Sequence, residues 1–355
     1  SETQEVAPLQ DADVHDLDEL LELGDLMQLA GIDMPELHDP PHSPLTPPAF
    51  RDSRNLFEVI RERDVLVHHP YESFSSSVEA FLEAAANDPQ VLAIKLTLYR
   101  TSGDTAIVRA LTEAAEAGKQ VAVLIELQAR FDEQNNIGFA RTMENFGIHV
   151  AYGLPGLKTH TKTVLVVRRE ADGIRRYVHL DTGNYNSKTA RLYTDIGLFT
   201  CNPEIGADLS DLFNSLTGVS RQKFYRRLAV APVGLRAKVL ELIDRETAHA
   251  MAGRGGRIIA KMNALVDPEV IAALYRASQA GVEVDLIVRG ICCLMPGVKG
   301  VSERIRVISI IGRFLEHSRV AYFANGGRPG DYIGSADWVP PNFDRPVGNM
   351  VPIDD

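Results

Sequence analysis

From Asn55 onward, short apolar runs rich in β-branched residues alternate with helical patterns, and this alternation most limits the folds open to the chain. A helical pattern near Leu56–Arg63 precedes a strand at Val65–His68, and a second over Ser77–Ala86 precedes the apolar run Val91–Leu98. Ala106–Ala117 has helical spacing, and Val121–Leu127, Ile148–Ala151, Thr163–Val167, Tyr177–Leu180 and Ile196–Phe199 read as strands. Helices set between such strands predict an α/β fold with mixed sheets flanked by helices. After a helical stretch over Leu209–Leu216 and an Arg/Lys-rich connector from Arg221 to Arg227, the order starts again. Ile107–Gly118 (IVRALTEAAEAG) lines up with Val270–Gly281 (VIAALYRASQAG), matching Ala110 with Ala273, Leu111 with Leu274, Ala114 with Ala277 and Gly118 with Gly281. Each copy then enters an apolar strand, which predicts an internal duplication.

Charge is unevenly placed. Of the 48 Asp/Glu, twelve lie in residues 1–50, which hold no Lys or Arg, so the formal charge of -11 belongs to the tail and the body is balanced. Attraction to an anionic substrate must therefore come from local cation placement, and no nucleic-acid partner is expected. Residues 14–29 have the spacing of an amphipathic helix, and the six prolines between Gly31 and Phe50 predict a linker after it. Three cysteines, Cys201, Cys292 and Cys293, exclude a disulfide framework and suit a reducing cytoplasm. No run of about 18 apolar residues predicts a membrane span, and the acidic start is unlike a signal peptide. A chain opening at Ser1 without Met is expected to be a piece of something longer.

Each half carries one histidine two residues from a cation. GLKTHTKTVLVV places His160 and Lys162 at the start of a strand and hence on one face of it, with the turn DTGNYN (Asp181–Asn186) after the next strand. FLEHSRVAYF places His317 and Arg319 likewise, and YIGSADW supplies Gly334, Ser335 and Asp337. A neutral imidazole can attack phosphorus, a cation can neutralise phosphoryl oxygens, and small residues let the backbone approach them. An isolated histidine at a strand start is more often a structural hydrogen-bonder; two matched units on a duplication reverse that balance.

The pair resembles the phospholipase D superfamily, in which two H-x-K motifs meet across a pseudo-two-fold axis. That motif continues with Asp seven residues after the His, where this chain has Val167 and Ala324, and the second Lys is Arg319. The strings LTLYRTSGD, VLIELQARFDE, GLKTHTKT, LYTDIGLFT, FLEHSRVAYF and IGSADW are similar to those of bacterial polyphosphate kinases, and DLMQLAGIDMPEL extends the likeness into the tail. The resemblance implies the end of a helical head domain and linker over residues 1–46, and two phospholipase D-like catalytic domains over 47–227 and 228–355 related by a pseudo-two-fold. It implies reversible transfer of the terminal phosphate of ATP to inorganic polyphosphate with magnesium, in the cytoplasm, by a protein that forms homo-oligomers at full length.

Carried over by position, His160 is the phosphate acceptor and His317 the acid/base that also contacts nucleotide. Tyr193 and Arg289 match ATP-contacting positions, and Lys162 and Arg319 are read as phosphate contacts. Arg100 and Arg130 match magnesium-site positions; because guanidinium has donors only, they are read as forks on phosphate oxygens that also bind the metal. Lys158, Lys162, Arg168, Arg169, Arg175 and Arg176 are candidates for a cationic path for the polyanion. His68 and His69, before Pro70, read as a turn without catalysis. Two alternatives stand beside this: an inert fragment that binds polyphosphate or a partner subunit, since NFDRPVGNMVPIDD departs from the family's final basic strand, and a phospholipase D-like phosphodiesterase.

Overall fold

A computed structural model describes residues 23–52, 55–98, 105–125, 140–153, 158–220, 222 and 224–354. Residues Ser1–His42 and Ser43–Asp355 form separate compact units. In the first, a 3-10 turn at Leu23–Asp25 leads into a short helix α1 (Leu26–Ala30), and Pro35 opens a second 3-10 turn. The α-helix expected over 14–29 thus starts only at Leu26 in its described part; Gly24, a residue that costs a helix interior about 1 kcal/mol, precedes it.

The second unit runs α2 (Leu56–Glu62), β1 (Val65–His69), α3 (Ala80–Asn87), β2 (Val91–Leu98), α4 (Thr105–Glu116), β3 (Gln120–Ile125), β4 (His149–Ala151), β5 (Thr163–Glu170), β6 (Gly173–Asp181), β7 (Tyr193–Thr200) and α5 (Pro203–Leu216). It continues with β8 (Ala229–Val230), α6 (Leu235–Met251), β9 (Arg257–Met262), α7 (Pro268–Gln279), β10 (Glu283–Val288), β11 (Ile305–Ile308), β12 (Leu315–Glu316), β13 (Arg319–Phe323), β14 (Gly330–Gly334), α8 (Pro340–Asp344) and β15 (Asn349–Ile353). The first sheet has the order β1-β7-β6-β5-β2-β3-β4, and the second, read from its opposite edge, β8-β15-β14-β13-β9-β10-β11. In each, the first parallel strand (β2 or β9) pairs antiparallel with the next long strand (β5 or β13), so strand directions match as well as order.

The duplication read from two alanine-rich helices therefore extends to the whole strand order. In α4, Ile107, Ala110, Leu111 and Ala114 are buried, and in α7 Val270, Ala273, Leu274 and Ala277, the i, i+3, i+4, i+7 stripe that seats a helix on a sheet. Gly118 and Gly281 end the two with φ of +81° and +102°, a backbone that side chains disfavour. Asp267 caps α7 by accepting from the N–H groups of Glu269 and Val270 at 3.1 and 3.0 Å. Helix α5 begins six residues earlier than its apolar spacing alone implies, because Asn202 caps it and Pro203 fits its first turn.

Each sheet has its own core, and a third cluster joins them. Leu209, Leu212 and Phe213 of α5, Leu165 and Leu198 of the first sheet, and Ile333, Val347 and Val351 of the second pack into one apolar layer. Asp208, fully buried in α5, ties down the basic connector by accepting from the backbone N–H groups of Arg226, Arg227 and Leu228 at 2.6–3.0 Å. This layer fixes one sheet against the other and hence the histidine segments that cross between them.

Candidate active site

Each histidine is held by the half to which it does not belong. Thr159 bridges Val347, the N–H of His160 donates to the Val347 carbonyl at 3.0 Å, and the N–H of Val347 donates to the Lys158 carbonyl at 2.7 Å. Reciprocally, β12 adds to the first sheet beside β7, pairing Leu315 with Tyr193 and Glu316 with Thr194. His160 and Lys162 therefore lie in an extended lead-in ahead of β5 and not inside a strand, the backbone N–H of His160 being taken by Val347 of the other half. The charges of His317, Lys162 and Arg319 all bear on His160.

His317 hydrogen-bonds through Nδ1 to the carboxylate of Asp195, at 2.8 and 3.0 Å, and its ring centroid lies 5.2 Å from that of Tyr193. Arg319 Nη1 is 3.2 Å from His317 Nε2 and donates to the Thr182 carbonyl of the first half at 3.2 Å. Its Nε and Nη2 fork onto Asp337 at 3.2 and 3.0 Å. With Asp195 accepting from Nδ1–H, the Nε2 lone pair faces the Arg319 guanidinium.

Burial and crowded positive charge set the protonation states. Burial, then the charges of Lys162, Arg319 and His317, hold His160 well below the usual imidazole range, against a hydrogen bond to the Ser335 backbone. Burial also lowers His317, opposed by Asp195. Burial, then the Arg319 charge, pushes Lys162 down to about 7. Burial raises Asp195, but hydrogen bonds from His317 and Thr182 outweigh it and leave the carboxylate ionised. At neutral pH the unliganded pocket thus holds neutral imidazoles among a poised lysine and a fixed guanidinium.

Beneath this layer lies a group that the sequence reading assigns no role. His69 is 1% exposed at the end of β1, its Nε2 is 3.9 Å from Asp181 Oδ2, and His179 Nε2 is 3.8 Å from the same oxygen. Burial and the neighbouring Asp195 charge push Asp181 well up, and its backbone N–H donates to the Lys162 carbonyl at 3.0 Å. His69 thus belongs to the buried polar group, since β1 pairs with β7 and sets His69 opposite Asp195. Lys261 also goes unread: it donates to Ser318 Oγ at 2.7 Å and pairs with Glu316 at 3.0 Å, on both sides of His317.

The other expected positions divide. Tyr193 stands against His317. Arg289 follows β10 at the carboxyl end of parallel strands, and its Nη1 is buried with no hydrogen-bond partner among the described residues. The described contacts of the two histidines do not include it. Arg100 and Arg130 lie outside the described residues. The cationic path does not assemble as expected. Arg168, Arg169, Arg175 and Arg176 occupy the far end of the β5–β6 hairpin, on the order of 20 Å along the strand from His160. There Arg168 is spent on Asp88 and Glu170, at 2.9 and 2.7 Å, and Arg175 on Asp172 at 2.6 Å. Among the described residues no group of three His, Cys, Asp or Glu side chains is arranged to hold a metal ion, and no helix is long and apolar enough to cross a membrane.

Comparison with known proteins agrees with this geometry. The family polyphosphate kinase C-terminal domain 1 matches residues 55–222, and polyphosphate kinase C-terminal domain 2 matches residues 228–355. A polyphosphate kinase of Thermosynechococcus vestitus is 59% identical over 98% of this chain and 51% of its own length. The chain spans about half the length of the curated relatives it matches. The crystal structure of polyphosphate kinase from Porphyromonas gingivalis superposes with a TM-score of 0.86 at 39% identity, covering 93% of this chain and 51% of that one. Phosphatidylserine synthase from Haemophilus influenzae Rd KW20 shares the fold alone, with a TM-score of 0.57 at 10% identity over 83% of this chain and 82% of that one. With two family matches that together take in most of its length, the chain belongs to the polyphosphate kinase family.

Proposed function

We propose that the chain transfers the terminal phosphoryl group of ATP to inorganic polyphosphate, reversibly, through phosphorylated His160. The observation that carries this reading is the crossing of the two histidine segments, Thr159 onto Val347 and Leu315–Glu316 onto Tyr193–Thr194, with Arg319 reaching from His317 to the Thr182 carbonyl of the first half. A neutral ring nitrogen of His160 attacks the terminal phosphorus in line; the P–N bond forms as the P–O bond to the β-phosphate breaks, and ADP leaves with the bonding pair. A terminal oxygen of polyphosphate then attacks the phosphohistidine, and the imidazole leaves with its own pair. Lys162 and Arg319 spread the charge of the equatorial oxygens, the main task in phosphoryl transfer.

His317 handles the proton. Its ring is neutral in the empty pocket, and the polyanion's charge together with Asp195 favours its protonation on binding. It gives that proton to the departing ADP oxygen and regains one from the incoming chain end. Tyr193 stands where a base can stack beside His317, and the unpartnered Arg289 donor suits a nucleotide phosphate. Magnesium would come with the phosphates of ATP, where it would share with Lys162 and Arg319 the neutralising of phosphoryl oxygens. We place the reaction in the cytoplasm, which supplies ATP and keeps thiols reduced.

Turnover of ATP to ADP and longer polyphosphate by the 355-residue chain tests the reading. His160→Ala is expected to abolish both products. Polyphosphate binding without ADP formation instead marks an inert fragment, and release of alcohol from a diester without nucleotide marks a phosphodiesterase.

A further inference from the structure

The matched strand orders allow the two halves of the site to be compared residue by residue. The N–H of Thr182 donates to the Ile196 carbonyl, and the N–H of Ile196 to Thr182 Oγ1, at 3.1 and 3.0 Å; Ser335 and Asn349 repeat both bonds at 2.9 and 3.0 Å. The bridges agree, since Glu316 pairs with Thr194 as Thr159 pairs with Val347. Position 195 therefore corresponds to 348, and 183 to 336. In the first half these are Asp195 and Gly183; in the second, Gly348 and Ala336.

The exchange is reciprocal in space. A Cβ on Gly183 would stand 2.1 Å from Asp195 Oδ2 and 3.0 Å from its Cβ, so only glycine leaves room for that carboxylate. A Cβ on Gly348 would stand 3.1 Å from the Cβ of Ala336, which occupies the corresponding space. The strand position that gives His317 its carboxylate gives His160 none.

We propose that this exchange divides the work of the two imidazoles: Asp195 makes His317 the ring that carries a proton, and the bare backbone at Gly348 leaves His160 to carry the phosphoryl group. The division rests on the phosphohistidine reading above. An adjacent carboxylate favours the protonated imidazole, whereas a nucleophile must keep a lone pair. His160 faces Lys162, Arg319 and His317; His317 faces Arg319, Lys162 and the anionic Asp195. Asp195 is on this account a positioning residue, and Gly348 and Ala336 stand in the second half where the first has that carboxylate and its glycine.

The test is to give the second half the first half's pair. In ¹⁵N-histidine-labelled chain, Gly348→Asp with Ala336→Gly is expected to raise the titration midpoint of the His160 ring by about 1–2 pH units. The acidic limb of phosphoryl transfer to that ring should rise equally. Ala336→Gly alone should move neither. Asp195→Asn, which keeps the shape, should lower the His317 midpoint and leave that of His160 in place; it carries the test if the double variant does not fold. An unmoved His160 midpoint in a folded double variant, or an Asp195→Asn change that lowers both rings alike, overturns the division. Midpoints that move as expected in a chain that never labels at His160 sink instead the phosphohistidine reading and, with it, that ring's share.

Discussion

In both halves a histidine segment leaves its own sheet and pairs with the other, Thr159 with Val347 and Leu315–Glu316 with Tyr193–Thr194. The backbone bonds of the two crossings correspond nearly one for one, whereas the side chains around them do not. Lys162 answers to Arg319, Asp181 to Gly334, Gly183 to Ala336 and Asp195 to Gly348. Strand order and crossing depend on apolar burial and main-chain bonds that many sequences satisfy. The polar layer between the rings depends on single side chains, and there the two halves of a duplicated frame differ.

The largest expected effect tests whether the halves are one body. Phe213→Ala, in the layer that joins the sheets, should cost about 3–5 kcal/mol, read from chemical denaturation. Loss of activity should follow the same single transition; a first sheet that melts while the second stays folded would break the comparison at its root.

Lys162 sharpens it at the site. Removing its charge with Lys162→Met should lower kcat by about 10²–10³-fold. The same change should raise stability, because a lysine held at about 7 when folded and near 10.5 when unfolded costs the native state its full penalty below pH 7. From pH 7 to 10.5 the unfolded chain binds more protons, so wild-type stability rises with pH and the variant's advantage fades. A denaturation midpoint that falls in Lys162→Met at pH 6 would remove this account of the lysine.

The pH profile should follow the same asymmetry. kcat/KM needs His160 neutral and Lys162 charged, which puts the acidic limb below 6.5 and the basic limb near 7. Lys162→Arg keeps its charge across that range, so the basic limb should move upward even if the rate falls. A limb still near 7 in that variant would assign it to another group. The smallest effect is expected farthest from the crossing: Arg175→Ala, at the hairpin end, should change stability by roughly 0.2–1 kcal/mol and leave transfer intact.

The sequence discloses these levels unequally. Val91–Leu98 and the helices aligned 163 positions apart are legible because burial on a sheet imposes a period that each residue repeats. The crossing segments are too short for any period: β12 is two residues long, and its partner is 122 positions away. Asp195, between a threonine and an isoleucine on a strand, gives no sign of its function until that crossing brings His317 to it. Arg168–Arg176 mislead for the opposite reason. They are dense along the chain, but a hairpin places them at the wrong end of the strand, where Arg168 and Arg175 are already paired. His69 hides for a related reason, because only the pairing of β1 with β7 sets it opposite Asp195.

The central claim is that two imidazoles from opposite halves share one pocket and that only one of them carries the phosphoryl group. Incubating the chain with ATP labelled in its terminal phosphate, with magnesium, and mapping the acid-labile label tests it most directly. The account predicts label on His160 alone, retained in Asp195→Asn and lost in His160→Ala. Label on His317, or label that survives in His160→Ala, would contradict it.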